Sequence, residues 1–211
     1  MGLKNHPDVW LKPTVFVLCL LPFIGLVFAL LTNRLDPNPI EVLTDETGEW
    51  ALRFIILGLV LTPLRQKLKV SWPVRLRRMI GLYAFFYACI HFLLYLLDSG
   101  FSVPAVIEDL YERPYVLAGF IALMIFLPLA ITSTRKMTKR LGKRWQLLHR
   151  WVYLGATAAI VHYVWLAKGE RLEPKVYLVI LLALLVIRLI KLLNGKKNTR
   201  TPPRPVAGVS D

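Results

Sequence analysis

Six apolar stretches, residues 14–32, 50–64, 79–97, 115–132, 149–167 and 176–193, recur along this chain of 211 residues. A hydrocarbon core of about 30 Å takes about 20 helical residues to cross, and each stretch approaches that length. With 56% hydrophobic residues and a mean hydropathy of +0.53, the composition is that of a polytopic membrane protein. The expected fold is all-α, a six-transmembrane-helix bundle over residues 14–193, with a short N-terminus at 1–13 and a tail at 194–211. The first stretch follows Lys4 and Lys12 as a signal sequence would. No small-residue cleavage site comes after it and the chain re-enters the membrane soon afterwards, so it reads as a retained helix.

A net charge of +14 would point to nucleic acid in a soluble protein, but here it alternates loop by loop. Segments 1–13, 65–78, 133–150 and 191–211 hold 20 Lys and Arg and only two acids, Asp8 and Asp211. The loops 33–49, 98–114 and 168–175 hold 5 basic residues and 11 acids. The positive-inside rule therefore places both termini in the cytoplasm and the three acidic loops outside. The same count removes the case for a nucleic-acid partner. Trp10, Trp50, Trp72, Trp145, Trp151 and Trp165 all fall near the ends of the stretches, where indole rings prefer to lie.

Cys19 and Cys89 lie within apolar stretches and read as packing residues rather than a disulfide. The tail from Asn194 is rich in Pro, Gly and Lys/Arg and has little to bury, so it is expected to be disordered and to lie on anionic lipid. No loop is long enough for an extramembrane domain. There is no GxGxxG after a strand and no GxxxxGK[ST]. Chemistry on a soluble substrate must then belong to another protein, and no catalytic residue is named here.

Three of the four histidines, His91, His149 and His162, lie inside or at the end of apolar stretches, where an ionisable side chain is costly and usually binds something. His6 stands apart in the polar N-terminus and reads as solvated. His91 follows Arg78 by 13 residues and His162 follows Arg150 by 12. Both fall roughly 18–20 Å from the cytoplasmic ends of their helices, at one depth in the outer half of the membrane. Two imidazoles facing each other across a helix bundle suit the iron of a b-type haem. The alternatives are two hydrogen-bonded polar side chains, or a transported divalent metal. The latter would want carboxylates in the spans, whose interiors hold no Asp or Glu on this reading.

His149 precedes His162 on what reads as the same helix, about 20 Å away along the axis and about 140° around it. The depth suits a second haem beneath the first, while the azimuth and the matching Arg77 and Arg78 on the third span do not. Arg77, Arg78, Lys143, Arg144 and Arg150 gather at this inner boundary. They read either as topology and lipid-headgroup contacts or as a grip on haem propionates or a flavin phosphate. Arg53 stands in the same relation to an outer haem, with snorkelling as the alternative. Tyr87 and Tyr95, four residues either side of His91, share its helical face and read as packing rather than redox relays.

The segments RRMIGLYAFFYACIHFLLYLL from Arg77, TSTRKMTKRLGKRWQLLHRWVYL from Thr132 and IVHYVWL from Ile160, with LTPLR at Leu61 and RPY at Arg113, resemble the MsrQ (YedZ) family. That family is the haem-binding membrane subunit of a bacterial periplasmic protein-methionine-sulfoxide reductase system, within the ferric-reductase-like transmembrane group. The resemblance implies one or two haems b, ligated by His91, His149 and His162, and a bound FMN. It implies electrons drawn from the quinone pool or a cytoplasmic flavin reductase. Their destination is a periplasmic molybdopterin-containing catalytic subunit that reduces methionine sulfoxide. The wider ferric-reductase pattern has two histidines on the third span, where this chain has only His91. The alternatives in other classes are a stand-alone ferric reductase and a divalent-metal transporter.

Overall fold

The structure is a computed structural model that describes residues 8–35, 37–68, 72–167 and 172–198. Its regular elements are helices: α1 Asp8–Leu31, α2 Pro39–Leu68, α3 Trp72–Asp98, α4 Val103–Glu112, α5 Pro114–Ile131, α6 Arg135–Leu141, α7 Lys143–Leu148, α8 Val152–Leu166 and α9 Glu173–Asn198, with a 3-10 turn at His149–Trp151. Among the described residues four helices are long and apolar enough to cross a membrane, over Trp10–Leu31, Pro39–Arg65, Leu76–Asp98 and Pro114–Ile131. The molecule is an all-helical membrane protein.

The second helix departs most from expectation. It starts at Pro39 rather than Trp50 and takes in the acidic run that charge alone had placed in a loop. Asn38 begins it, accepting from the Glu41 N–H and donating to the Glu41 carboxylate. Proline is tolerated in the first turn, where its missing N–H would have no helical partner. Thr44 and Thr47 then turn their hydroxyls back onto the carbonyls of Ile40 and Leu43, each at 2.7 Å. Glu46 and Glu49 are thus helical, so the expectation that no acid enters a membrane-spanning helix is corrected.

The loop after α3 also holds a helix. Gly100 and Phe101 take positive φ to turn the chain, and the Ser102 hydroxyl caps α4 through the Ala105 N–H. On the opposite side, Thr134 caps α6, Gly142 at φ +52 breaks it, and α7 leads into the 3-10 turn. His149 therefore does not lie on the helix of His162, contrary to the expected single run. At the C-terminal end α9 continues to Asn198, so residues 194–198 extend that helix rather than opening a disordered tail. Residues 1–7 and 199–211 lie outside the described residues.

Two helix pairs make the core, α2 against α3 and α5 against α8, with α9 on α8 and α2 and α1 on α3. Leu52, Phe54, Ile55 and Leu59 of α2 meet Ile80, Tyr83, Ala84 and Tyr87 of α3, and Ala156 and Ile160 of α8 close the centre. Outside this core large apolar side chains stay uncovered, as on Phe16, Leu18 and Phe28 of α1 and Val179, Leu182 and Val186 of α9, which is what a lipid-facing surface needs. Tyr83 and Tyr87 tie α1 to α3. The Tyr83 hydroxyl donates to Phe16 O at 2.9 Å, and the Tyr87 hydroxyl donates to Cys19 O while accepting from Phe23 N, both at 3.0 Å.

Candidate functional site

His91 on α3 and His162 on α8 face each other where the two helix pairs meet, their ring centroids 6.0 Å apart and their planes crossed at 75°. Each ring is anchored from behind. Nδ1 of His91 lies 2.8 Å from the carbonyl of Thr44 on α2, and Nδ1 of His162 lies 2.7 Å from the carbonyl of Tyr115 on α5. A carbonyl only accepts, so Nδ1 carries the proton and the lone pair sits on Nε2. That is the tautomer in which an imidazole ligates a metal while its other nitrogen is held by the protein. The ring spacing suits two imidazoles that share one metal through bonds of about 2 Å. Among the described residues no group of three or more His, Cys, Asp or Glu side chains converges as a bare metal ion would require. Two imidazoles so placed are a donor set that would suit a haem iron.

A polar chain runs beside this pair. Glu49 accepts from the Tyr163 hydroxyl at 2.8 Å and pairs with Arg53; Arg53 also donates to the Tyr177 hydroxyl at 3.2 Å and lies over the Trp50 ring. Glu46 comes within 4.0 Å of the same guanidinium. Arg53 is thus neutralised by two carboxylates of its own helix instead of standing as an unpaired grip for a propionate. Tyr95 donates to Asp109 of α4, and Tyr87 serves the α1 contact, so both flanking tyrosines are engaged structurally.

Toward the basic side a cavity of about 440 Å³ opens between α2, α3, α5, α8 and α9, within the 300–1,000 Å³ usual for small-molecule and cofactor sites. Phe54, Phe85, Phe126 and Tyr153 give it aromatic walls, and Arg77, Arg78, Arg150 and Arg188 give it charge. No Asp or Glu among the described residues lines it. His149 lines it too, stacked on Trp145 at 3.9 Å between centroids. The Thr132 hydroxyl donates to Pro128 O at 2.6 Å, and so accepts from His149 Nε2 at 3.2 Å. Trp145 Nε1 donates to Thr132 O at 3.1 Å, which fixes the stack. His149 is therefore held through the nitrogen that the outer pair leaves open.

Of the residues singled out in the sequence, His91 and His162 come together, and His149, Arg77, Arg78 and Arg150 come together around the cavity. Lys143 and Arg144 are exposed on α7 and do not line it. Arg188 of α9 does, and its place within an apolar stretch gave no sign of it. Gly48 and Gly119 were also missed. A glycine precedes each histidine of this pair by 43 residues, and the trio Thr44, Gly48, His91 recurs 71 residues later as Tyr115, Gly119, His162. That spacing was the available signal.

Residues 47–160 match the family model described as ferric reductase like transmembrane component. Over 205 residues the chain is 43% identical to the protein-methionine-sulfoxide reductase heme-binding subunit MsrQ of Herminiimonas arsenicoxydans, covering 95% of this chain and 92% of that one. It is 42% identical to the subunit of the same name from Rhodospirillum rubrum, covering 89% and 91%. Against the Deinococcus radiodurans subunit identity is 40%, covering 90% and 94%. No solved structure matches.

Proposed function

The chain belongs to the MsrQ family, within the ferric-reductase-like transmembrane group, and from that premise we propose that it is the haem b subunit that carries electrons across a bacterial inner membrane to a periplasmic methionine sulfoxide reductase. The observation that carries this reading is the crossed pair His91 and His162, 6.0 Å apart between ring centroids and each with Nδ1 tied to a backbone carbonyl, which leaves Nε2 free to ligate. Those two side chains hold the outer haem. The bound group supplies a one-electron couple that no protein side chain here offers.

The chain's own residues do the rest. Tying the imidazoles to helix backbones means that little has to move when charge arrives at the site, which keeps electron transfer cheap. The apolar core around Ile160 and Phe54 keeps water from the path. On the basic side the cavity takes an anionic cofactor, a second haem b or FMN, its acidic groups met by Arg77, Arg78, Arg150 and Arg188 and its body by the aromatic walls. His149 would be the ligand candidate there, its Nε2 otherwise held by the Thr132 hydroxyl.

The alternating loop charge supports six spans with both termini in the cytoplasm. Electrons then enter from the quinone pool or a cytoplasmic flavin reductase at the arginine-lined end and leave toward a molybdopterin-containing catalytic subunit docked on the acidic outer side. The test is a reduced-minus-oxidised spectrum of the purified protein with H91A and H162A. Each variant loses the outer haem and most of the Soret band that belongs to it. If both kept wild-type haem content and midpoint potential, the bis-histidine assignment falls.

A further inference from the structure

We propose that Gly48 and Gly119 are positioning residues that hold the imidazole planes of His91 and His162 crossed, and so set the electronic state of the iron between them. The inference rests on the bis-histidine reading above and adds what controls it. A histidine ring turns freely about its terminal bond, since that torsion has broad wells, so one hydrogen bond through Nδ1 leaves the ring plane underdetermined. A second contact has to fix it.

The glycines supply that contact. A Cβ built on Gly48 would lie 2.9 Å from His91 Nδ1 and 3.0 Å from its Cε1. A Cβ on Gly119 would lie 2.9 Å from His162 Nδ1 and 3.1 Å from its Cε1. Each ring edge thus rests directly against a helix backbone, in space that any other residue would fill. The carbonyl that anchors the ring belongs to the residue four positions earlier on the same helix, Thr44 before Gly48 and Tyr115 before Gly119. One helix turn therefore offers both the acceptor and the flat seat, and it does so twice in the same register.

Glycine inside a helix costs about 1 kcal/mol relative to alanine, and at these two positions the close approach of a ring accounts for it. Gly25 in α1 and Gly81 in α3 have nothing within 4 Å of the same hypothetical atom, and Gly155 in α8 meets Phe126 and Ile125, so among the described glycines contact with a histidine ring is confined to Gly48 and Gly119. Planes at 75° differ electronically from parallel ones. Crossed axial imidazoles donate into different iron d orbitals and keep those orbitals nearly degenerate, which gives a highly anisotropic low-spin ferric EPR signal. Parallel imidazoles split them and give an ordinary rhombic one. Ligand orientation imposed from outside the coordination sphere is one of the levers by which a protein tunes such a centre.

The test compares wild type with G48A, G119A and G25A as purified protein, by haem content per chain, low-temperature EPR and midpoint potential. Wild type is expected to show the highly anisotropic signal. G48A and G119A are expected to move it toward the rhombic form and to shift the potential, with G25A unchanged. Loss of haem from an inserted G48A or G119A, with G25A still loaded, supports the same seat, the ring having been pushed off the iron. A rhombic wild-type signal overturns the proposal. So do haem-loaded G48A and G119A whose spectrum and potential match wild type. A wild type with no low-spin haem at all would instead overturn the reading beneath it.

Discussion

Replacing Tyr87 by Phe separates a structural tyrosine from a redox relay. The ring is fully buried, and its hydroxyl sits between the Phe23 N–H and the Cys19 carbonyl of α1, 3.0 Å from each. In an unbroken helix those two groups bond to each other. Here the hydroxyl is inserted between them, beside Pro22, whose missing N–H already opens the ladder. Y87F removes one oxygen and leaves the contacts with Trp50, Phe54 and Phe86 in place. If α1 stays as it is, two buried backbone groups lose their partner at a net cost of about 1 kcal/mol each. If the helix closes instead, they find each other and the cost falls to about 1 kcal/mol for the lost tie to α3. At about 2–4 °C per kcal/mol for a chain of this size, the midpoint of thermal unfolding drops by about 2–8 °C. Circular dichroism of the detergent-purified protein reads the drop, and haem reduction timed by stopped flow is expected to stay unchanged. In a P22A background the helix already favours closure, so Y87F should cost less there. A Y87F protein with wild-type stability and slowed reduction would refute the structural role.

Reporter fusions at Gly195 and Ser71 are expected to be cytoplasmic and those at Asn38 and Ser102 periplasmic; a periplasmic C-terminus reverses the direction of electron flow argued above. The double variant R78Q/R188Q should lower the anionic cofactor held in the inner cavity, measured by pyridine haemochrome and flavin release, whereas K143Q/R144Q should leave it unchanged. Equal losses in both would return the cluster to a topology signal. Glu49→Ala removes the acceptor shared by Tyr163 and Arg53, and hydrogen bonds to a charged group contribute about 1.5–3 kcal/mol, so its unfolding midpoint should fall clearly. An E49A protein as stable as wild type would mean that the chain from Glu49 to Tyr177 holds nothing together.

The meeting of His91 and His162 was legible because an imidazole in an apolar run is costly wherever the run folds, and nearly equal distances from Arg78 and Arg150 gave a common depth. Its supports were not. Thr44 and Tyr115 act through backbone carbonyls, which carry no side-chain signature, and Gly48 and Gly119 act through the absence of a side chain. The start of α2 was misplaced because acids were counted as loop markers. Asn38, Pro39 and the threonine hydroxyls outweigh that charge locally. The 3-10 turn at His149 likewise escaped a reading that extended the period of α8 backwards. Arg188 joins Arg77 only through the packing of α9 against α8 and α2, a contact across more than a hundred residues that no spacing announces.

The offset of 71 residues that relates His91 to His162 also relates Arg78 to His149. The two halves of the bundle therefore agree at the outer level and differ at the inner one. Where they agree, two neutral imidazoles face each other, and the nearby guanidinium of Arg53 is answered by Glu49 and Glu46. Such a place can take a metal without demanding charge from what surrounds it. Where they differ, one half offers an imidazole bound to Thr132 and the other a guanidinium, which has no lone pair to give a metal. Four arginines line that space with no acid among the described residues to balance them. Arg78 and Arg150 are exposed and Arg77 and Arg188 half-buried, and cations taken further from water are stable only when paired. Lipid phosphates can serve those at the rim, but the inner walls need an anion that fits between aromatic rings. On the function proposed above, the outer level would select its occupant by metal ligation, and the inner level first by the occupant's negative charge.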